Sequence, residues 1–219
     1  MEDHEIVTIA EYQATAESFR EGTWNHDVSQ NRNALVDAMP RNPGKILDLG
    51  CGPGRDLVAF KDQGHQVIGL DATPAFVNMA QQVSGCEVWQ QSFLNLKLPP
   101  KSFDGIFANA SLIHIPRASM VRVLKDLKGS LVTNGAIVMS MIRGDHEGYS
   151  VRPTGYRYVV GWEYQSLAHC VEQAGFEIFD HYYRPPGLPC EQQSWLVIVA
   201  LNRVSYSLVS DSMVDVTQS

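Results

Sequence analysis

A glycine loop between an apolar run and a helical pattern constrains this chain more than any other stretch. Residues 45–54 read KILDLGCGPG. The apolar run predicts a strand buried in a parallel sheet, and the glycines allow a sharp turn that a ligand can approach closely. An amphipathic pattern starts at Asp56, so free helical N–H groups lie at the same turn. A second apolar run, residues 67–71, ends at Asp71, where a β-α-β unit places a carboxylate that can accept hydrogen bonds from ribose hydroxyls.

The spacing of this loop distinguishes between classes of ligand. Dinucleotide-binding loops read G-x-G-x-x-G and present a helix N-terminus to a pyrophosphate. Here the order is acid-x-G-x-G-x-G, and the acid, Asp48, repels a pyrophosphate and favours a cation. The pattern resembles the first motif of class I S-adenosylmethionine-dependent methyltransferases, whose cofactor carries an ammonium and a sulfonium. The resemblance implies S-adenosyl-L-methionine as the cofactor and methyl transfer as the activity.

Composition narrows the remaining classes. The chain has 219 residues, of which 44% are apolar, enough for one domain with its own core. We expect no membrane segment or secretory signal, and a cytoplasmic location, because no long apolar run is present. The formal charge of −7 argues against a nucleic-acid partner. The cysteines show no C-x-x-C spacing and predict reduced thiols without a metal site; they are Cys51, Cys86, Cys170 and Cys190.

Strand and helix patterns alternate along most of the chain, which predicts an α/β, doubly wound, mostly parallel sheet. Near the end, runs 176–183 and 195–201 are separated by a proline-rich turn and no helix, so we expect them to pair antiparallel. The methyltransferase family resembled here closes a seven-stranded sheet with such a hairpin. We therefore predict a single methyltransferase domain over 1–219, with N-terminal lid helices in 1–43, a Rossmann-like core in 44–201 and a polar tail in 202–219.

The resemblance assigns residues to the parts of the cofactor. Asp48 and the glycines hold the amino-acid part, Asp71 the ribose, and Ala72 lies against the adenine. Ser92 stands where the family often carries an acid that accepts from the adenine amino group, and a neutral hydroxyl is the weaker acceptor. Phe93 either stacks on the adenine or packs in the core. The predicted cofactor-binding residues are Tyr12, Arg20, Asp48, Gly50, Gly52, Gly54, Asp71, Ala72, Ser92, Phe93 and Asn109.

A helix predicted over residues 5–19 resembles the lid that covers the cofactor in small-molecule methyltransferases. The ring of Tyr12 then faces the sulfonium, as aromatic rings do with cations. Arg20 pairs with the cofactor carboxylate, and Asn109, after the fourth strand, lies near its methionine portion. The alternative is an amphipathic helix that only packs on the sheet and leaves Arg20 in solvent.

Methyl transfer from a sulfonium is a direct displacement that requires alignment and, for some acceptors, removal of a proton. The candidate bases are His114 and His146, and the alternative for His114 is a packed, hydrogen-bonded ring. The loop expected over 142–161 and the turn over 182–194 mix arginines with aromatics, which suits a planar or carboxylate-bearing molecule. A solvated loop is the alternative. The predicted substrate-binding residues are Trp24, Arg143, Tyr158, Tyr183 and Arg184.

The resulting hypothesis is a methyltransferase that acts on O, N or S of a small molecule. A second hypothesis is a protein that binds S-adenosylmethionine without transferring methyl, as a sensor, partner subunit or non-methyl catalyst. A nucleotide-linked oxidoreductase is disfavoured by the loop spacing. Methylation of RNA or protein lacks a supporting basic tract. The oligomeric state stays open.

Overall fold

The computed structural model describes residues 2–203. The helices are α1 (Asp3–Thr23), α2 (Ser29–Ala38), α3 (Arg55–Asp62), α4 (Pro74–Ser84), α5 (Arg117–Ser130) and α6 (Tyr164–Gln173). The strands are β1 (Lys45–Leu49), β2 (Gln66–Asp71), β3 (Glu87–Gln90), β4 (Phe103–Asn109), β5 (Leu131–Arg143), β6 (Glu147–Arg152), β7 (Gly155–Trp162), β8 (Glu177–Arg184) and β9 (Trp195–Leu201). Most of the predicted polar tail, residues 204–219, lies outside the described residues. No helix within residues 2–203 is both long and apolar enough to cross a membrane.

The sheet has the predicted doubly wound topology. Strands β3, β2, β1, β4 and β5 are neighbours in that order, and all of these pairs are parallel. Strand β9 pairs antiparallel with both β5 and β8, which forms the expected C-terminal hairpin. The strand order reverses between β1 and β4, so their carboxyl ends open a crevice where ligands bind in such sheets.

The segment 142–161 differs from the expectation, because most of it is a β-hairpin. Strands β6 and β7 pair antiparallel, and the end of β7 pairs with the end of β5 through Ile142↔Gly161 and Arg143↔Trp162. Within residues 2–203 the sheet therefore has nine strands, with the hairpin added to the predicted seven. The hairpin turns at Pro153-Thr154, and the aromatic and β-branched residues on both sides of this turn favour strands.

Alternate residues of the central strands face two apolar layers, as expected for a parallel sheet covered by helices on both faces. Leu47 and Leu49 of β1 belong to one buried layer, together with the apolar stripe of α5. Ile46 belongs to the other layer with Leu35 of α2 and Phe60 of α3. These two layers hold the ends of β1, β2 and β4 in fixed positions and so fix the loops that follow them.

Helix α1 crosses the crevice and is fastened at both sides. Its Thr8 Oγ1 accepts a hydrogen bond of 2.9 Å from the backbone N–H of Tyr158 in the hairpin. Its Glu11 pairs with Arg157 and accepts a 3.0 Å hydrogen bond from Thr154. On the opposite side, Gln13 Oε1 accepts a 2.9 Å bond from the first turn of α4. The predicted N-terminal helix is therefore a roof over the carboxyl ends of the strands.

Candidate functional site

A cavity of about 860 Å³ lies at the carboxyl ends of β1, β2 and β4, under α1. It gathers residues that are far apart in the chain, from α1, the glycine loop, the strand ends and the hairpin. Of the predicted site residues, those that line it are Tyr12, Asp48, Gly50, Gly52, Asp71, Ala72, Phe93, Asn109, His114 and Arg184. The structure thus brings most of the predicted cofactor residues into one space.

The glycine loop needs its glycines for two reasons. Gly50 has a φ of +76°, and a Cβ there would lie 2.3 Å from the Cβ of Ser111. Gly54 has a φ of +94° and begins α3, and a Cβ there would lie 2.8 Å from the Cα of Ala80 in α4. Gly50 therefore shapes the cavity wall, whereas Gly54, a predicted cofactor residue, lies outside the lining and allows α3 to pack on α4.

Asp71, at the end of β2, fixes the shape of the glycine loop. Its Oδ2 accepts a 3.0 Å hydrogen bond from the N–H of Gly52, and its Oδ1 accepts one of 2.8 Å from the N–H of Thr73. Burial raises the pKa of Asp71, and these N–H groups oppose the shift. Each carboxylate oxygen can accept more than one hydrogen bond, so Asp71 keeps acceptor capacity toward the cavity.

Asp48 is the least satisfied acid in the cavity. It is 3% exposed, and its Oδ2 has no hydrogen-bond partner among the described residues. Burial, with the nearby Asp56, raises its pKa well above the usual range, and Arg55 and Arg32 act against this shift. Both arginines bind Asp56 at 2.6 Å. A buried, unpartnered carboxylate that lines a cavity is costly unless a ligand supplies a donor, so the site fits a cationic group.

Tyr12 and His114 form a hydrogen-bonded pair on the roof of the cavity. His114 Nδ1 lies 2.6 Å from the backbone oxygen of Tyr158, which can only accept, so Nδ1 carries the proton. Nε2 then accepts the 3.0 Å bond from the hydroxyl of Tyr12. Burial lowers the pKa of His114 to about 4, so the ring is neutral. The guanidinium of Arg157 lies 3.8 Å from the ring centroid of Tyr12 and covers one face of that ring.

Asn109, at the end of β4, is oriented by a residue that sequence analysis missed. Its Oδ1 accepts a 2.7 Å hydrogen bond from the side chain of Asn31 in α2. Asn31 is 1% exposed and in turn accepts a 2.9 Å bond from the hydroxyl of Tyr182. The sequence feature that could have indicated Asn31 is an amide at a position of α2 that faces the sheet, where an apolar residue is usual.

Arginines of the hairpin and of strand β8 line the cavity. Arg157 is held by Glu11, and Arg184 donates a 2.9 Å hydrogen bond to the backbone oxygen of Asp27. Arg152 also lines the cavity, and no acceptor within residues 2–203 pairs with it. Arg152 and Arg157 were not among the predicted site residues, because they reach the cavity only through the pairing of the hairpin.

Several predicted residues lie outside the cavity lining because other protein groups hold them. Arg20 is exposed on α1, where its guanidinium lies 5.2 Å from the ring of Trp24. Trp24 itself follows the last turn of α1 and is also outside the lining. Arg143 lies 3.7 Å from Glu163. Arg20 therefore points away from the space expected to hold the cofactor carboxylate, because α1 turns this face toward solvent.

The lining also lacks two predicted tyrosines and the second candidate base, which are Tyr158, Tyr183 and His146. Tyr158 contributes its backbone to the site, while its hydroxyl donates a 2.7 Å bond to Glu147 on the outer side. Tyr183 lies under the guanidinium of Arg143. His146, the second candidate base, is exposed and lies outside the lining, where it packs against Gly161. These side chains shape the hairpin and its junction with the sheet.

Comparisons with known proteins agree with this geometry. A family model described as a methyltransferase domain matches residues 46–135, which include the glycine loop and the ends of β1, β2 and β4. The fold is similar to that of Burkholderia thailandensis 1,6-didemethyltoxoflavin-N1-methyltransferase, with a TM-score of 0.72 and 22% identity over 92% of this chain and 90% of that chain. Residues 46–135 therefore carry a methyltransferase domain, and the chain shares the fold of the solved methyltransferase. The predicted fold class is confirmed, and the matched domain agrees with the predicted family.

Curated relatives are similar to the chain over shorter stretches. It is 31% identical over 116 residues to trans-aconitate 2-methyltransferase of Rhodopseudomonas palustris, which is 50% of this chain and 43% of the relative. It is 26% identical over 125 residues to the 18S rRNA (guanine-N(7))-methyltransferase bud23 of Schizosaccharomyces pombe, which is 52% of this chain and 46% of the relative. The match thus spans somewhat less than half the length of these relatives, and their named acceptors belong to different chemical classes.

Proposed function

We propose that this methyltransferase moves a methyl group from S-adenosyl-L-methionine to an O, N or S atom of a small molecule by direct displacement. The observation that carries the proposal is the division of one cavity into two regions. The region at the glycine loop contains the acids Asp48 and Asp71, whereas the hairpin contributes Arg152 and Arg157 and the end of β8 contributes Arg184. A cation therefore fits one region and an anion the other.

The glycine-loop region suits the cofactor. When bound, S-adenosylmethionine supplies a methyl group that its positive sulfur already activates. Asp48, with its unpartnered Oδ2, accepts a hydrogen bond from the ammonium group, and Asp71 accepts from the ribose hydroxyls. Gly50 and Gly52 leave backbone without a Cβ at the cavity wall, so a ligand can approach closely. Asn109 is oriented by Asn31 toward the same region.

The hairpin region suits a small acceptor that carries a carboxylate. Arg152 is available for a new ion pair, and a guanidinium binds carboxylates through two parallel hydrogen bonds. The roof of α1 and the hairpin restricts the size of the acceptor and excludes water from the reacting atoms. The similarity to trans-aconitate 2-methyltransferase supports an acidic acceptor.

His114 acts in this scheme as a positioning residue. Both of its ring nitrogens are engaged, by Tyr12 and by the backbone of Tyr158, and its pKa of about 4 leaves it a weak base. It fixes the Tyr12 hydroxyl on the cavity roof. His146, exposed and outside the lining, does not take part in the proposed site.

We also propose a single methyltransferase domain in which α1 and α2 form the lid of a core built on the sheet. The supporting observation is that both helices contribute residues to the cavity lining, Tyr12 from α1 and Asn31 from α2. A cytoplasmic location is part of the proposal. The thiols of Cys51, Cys86 and Cys170 are free, which suits a reducing compartment.

The test has two stages. Calorimetry first measures binding of S-adenosylhomocysteine, and a panel of small carboxylic acids is then incubated with S-adenosylmethionine while release of S-adenosylhomocysteine is recorded. We expect turnover with at least one acid, and we expect Arg152→Gln to raise its KM about ten-fold without changing the Kd of S-adenosylhomocysteine. Lys125→Gln, on the exposed face of α5, is the control.

Three outcomes contradict the proposal. Release of S-adenosylhomocysteine with ribosomal RNA, and with none of the acids, identifies an RNA acceptor, which the similarity to bud23 makes the main alternative. Tight cofactor binding without turnover on either class of acceptor supports a protein that binds the cofactor without transferring methyl. An increase in KM for Lys125→Gln equal to that for Arg152→Gln removes the assigned role of Arg152.

A further inference from the structure

The lid helix places a carboxylate beside the loop that follows β3. Glu5, in the first turn of α1, lines the cavity, whereas Ser92 does not. The hydroxyl of Ser92 donates a short hydrogen bond to Oε1 of Glu5, and its oxygen accepts a 3.1 Å bond from the N–H of Leu94. The Ser92 hydroxyl therefore uses its one proton on Glu5 and one of its lone pairs on Leu94, and it holds Glu5 at the cavity.

Glu5 retains acceptor capacity. Its Oε2 accepts a long, 3.3 Å hydrogen bond from the N–H of Glu2 as part of the capping box at the start of α1. No basic side chain within residues 2–203 forms an ion pair with it. A carboxylate has about four lone-pair directions, and the protein uses only two of them. The rest are open to a donor in the cavity.

The neighbours of Glu5 identify the part of the cavity that it faces. Ala72 follows Asp71 at the end of β2, and Phe93 follows Ser92; both line the cavity with Glu5. The Cζ of Phe93 lies 3.2 Å from the position that a Cβ on Gly50 would take, so this ring is beside the glycine loop. An aromatic face next to the ribose-binding acid suits a planar base.

We propose that Glu5, carried by the lid helix, accepts the hydrogen bond from the exocyclic amino group of adenine. This inference rests on the proposed cofactor site. Ser92 cannot offer a charged acceptor, and Glu5 supplies that charge from another element of the chain. Because the same helix carries Tyr12, the adenine base also fastens α1 over the methionine end of the cavity. Recognition of the base and closure of the lid thus depend on one side chain.

The test compares S-adenosylhomocysteine with S-inosylhomocysteine, in which a carbonyl replaces the amino group. Calorimetry gives the Kd of both compounds for the full-length wild-type protein and for Glu5→Gln. We expect the wild type to prefer the adenosyl compound by about ten-fold or more, because the inosyl compound lacks the amino group that donates to the Glu5 carboxylate. In Glu5→Gln we expect this preference to disappear, because the amide can donate to the carbonyl of inosine.

Two further variants distinguish binding of adenine by Glu5 from a purely structural effect on α1. Glu17→Gln lies on the exposed face of the same helix and is expected to keep the wild-type preference. Ser92→Ala leaves the Glu5 carboxylate in place and is expected to retain most of the preference. Thermal unfolding of each variant confirms that it folds.

The outcomes distinguish this inference from the proposed function. An equal loss of affinity for both compounds in Glu5→Gln means that Glu5 only caps α1, and it overturns the inference. The inference also fails if Ser92→Ala abolishes the preference while Glu5→Gln keeps it, because Ser92 is then the residue that binds the adenine amino group. If the wild type binds neither compound, the cofactor site itself is wrong and the inference falls with it.

Discussion

Asp48 shows how one side chain can serve ligand binding at the expense of stability. A buried acid with an unpartnered oxygen favours its neutral form, which is why burial raises the pKa of Asp48. Its neighbour Asp71 is also buried but accepts two backbone N–H groups, and these oppose the shift. Asp48 therefore needs a cation as a partner, whereas Asp71 also stabilises the glycine loop.

We predict that Asp48→Asn stabilises the protein and weakens cofactor binding. At pH 7 the free energy of unfolding should rise by about 1–3 kcal/mol, because an unpaired buried charge is removed. The Kd of S-adenosylhomocysteine should rise at least about ten-fold. A raised folded pKa means that the folded state binds the proton more tightly than the unfolded state. The gain in stability from Asp48→Asn should therefore shrink as the pH falls toward about 4, the pKa of an ordinary carboxyl.

Denaturant unfolding and calorimetry check this prediction. Asp126→Asn, on the exposed face of α5, is the control and should change neither quantity. An Asp48→Asn protein that is less stable than the wild type at pH 7, yet binds the cofactor normally, would mean that the carboxylate has a structural role only.

The titration of His114 changes the stability of the protein with pH in the opposite direction. Its folded pKa is lowered to about 4, below the value near 6.5 of free histidine, so the unfolded chain binds the proton more readily. We predict that the stability of the wild type relative to His114→Gln, which does not titrate, falls as the pH is lowered from about 6.5 to about 4. Urea unfolding of both proteins across this range measures the difference. A difference that stays constant would contradict a neutral, buried ring.

Among the elements of the fold, the β6–β7 hairpin decides where the lid lies. Glu11 of α1 has a side chain that is 2% exposed, and it binds Arg157 and Thr154 of the hairpin. Thr8 accepts from the backbone of the same hairpin. The hairpin thus positions both the lid and the arginines of the proposed acceptor region, although it lies outside the central seven strands.

We predict that Glu11→Ala loosens α1 without unfolding the core. Removal of one partner of a buried ion pair is strongly destabilising, and here the effect should be confined to the lid and hairpin. Hydrogen exchange should become at least about ten-fold faster in α1 and remain unchanged in β4 and β5. Glu17→Ala, on the exposed face of the same helix, is the matched control. Equal acceleration throughout the sheet would show that Glu11 supports the whole fold instead of the lid.

The part of the site that sequence analysis identified is the part encoded by local patterns. Asp48, the glycines and Asp71 follow directly from a strand, a turn and the next strand, so their positions can be read from consecutive residues. Arg152, Arg157 and Glu5 could not be found in this way. They reach the cavity through the hairpin and the lid, whose contacts join residues separated by more than eighty positions, as in the bonds of Glu5 to Ser92 and Glu11 to Arg157.

The same difference between local patterns and tertiary contacts explains why Arg20, and not Arg157, was a predicted site residue. The sequence shows that both lie near aromatic residues, but it does not show which face of α1 the sheet covers. The hydrogen bonds from the hairpin to Thr8 and Glu11 fix that face, and they leave Arg20 on the exposed side. Helical periodicity alone could not decide this, because α1 alternates apolar and charged residues with little bias to one side.

For the molecule as a whole, the arrangement of charge matters more than its sum. The formal charge of −7 makes the protein acidic, but the cavity lining combines the buried acids Asp48 and Asp71 at the glycine loop with arginines from the hairpin. A ligand that enters the loop region meets Asp48, which disfavours a diphosphate, and a positively charged amino-acid nucleoside meets the charge it requires. The ligand class therefore follows from this one carboxylate, although dinucleotide-binding proteins share the sheet topology.

We predict different thermal responses to two adenine-containing compounds. S-adenosylhomocysteine at about 100 times its Kd should stabilise the protein by about 2.7 kcal/mol, a rise in Tm of roughly 5–10 °C for a domain of this size. NADH at the same concentration should leave Tm unchanged, because its diphosphate would have to lie beside Asp48. Asp48→Asn should reduce the shift with S-adenosylhomocysteine and so connects the response to that side chain. A shift with NADH and none with S-adenosylhomocysteine would mean that the loop accepts a diphosphate, and the charge-based assignment of the cavity would be wrong.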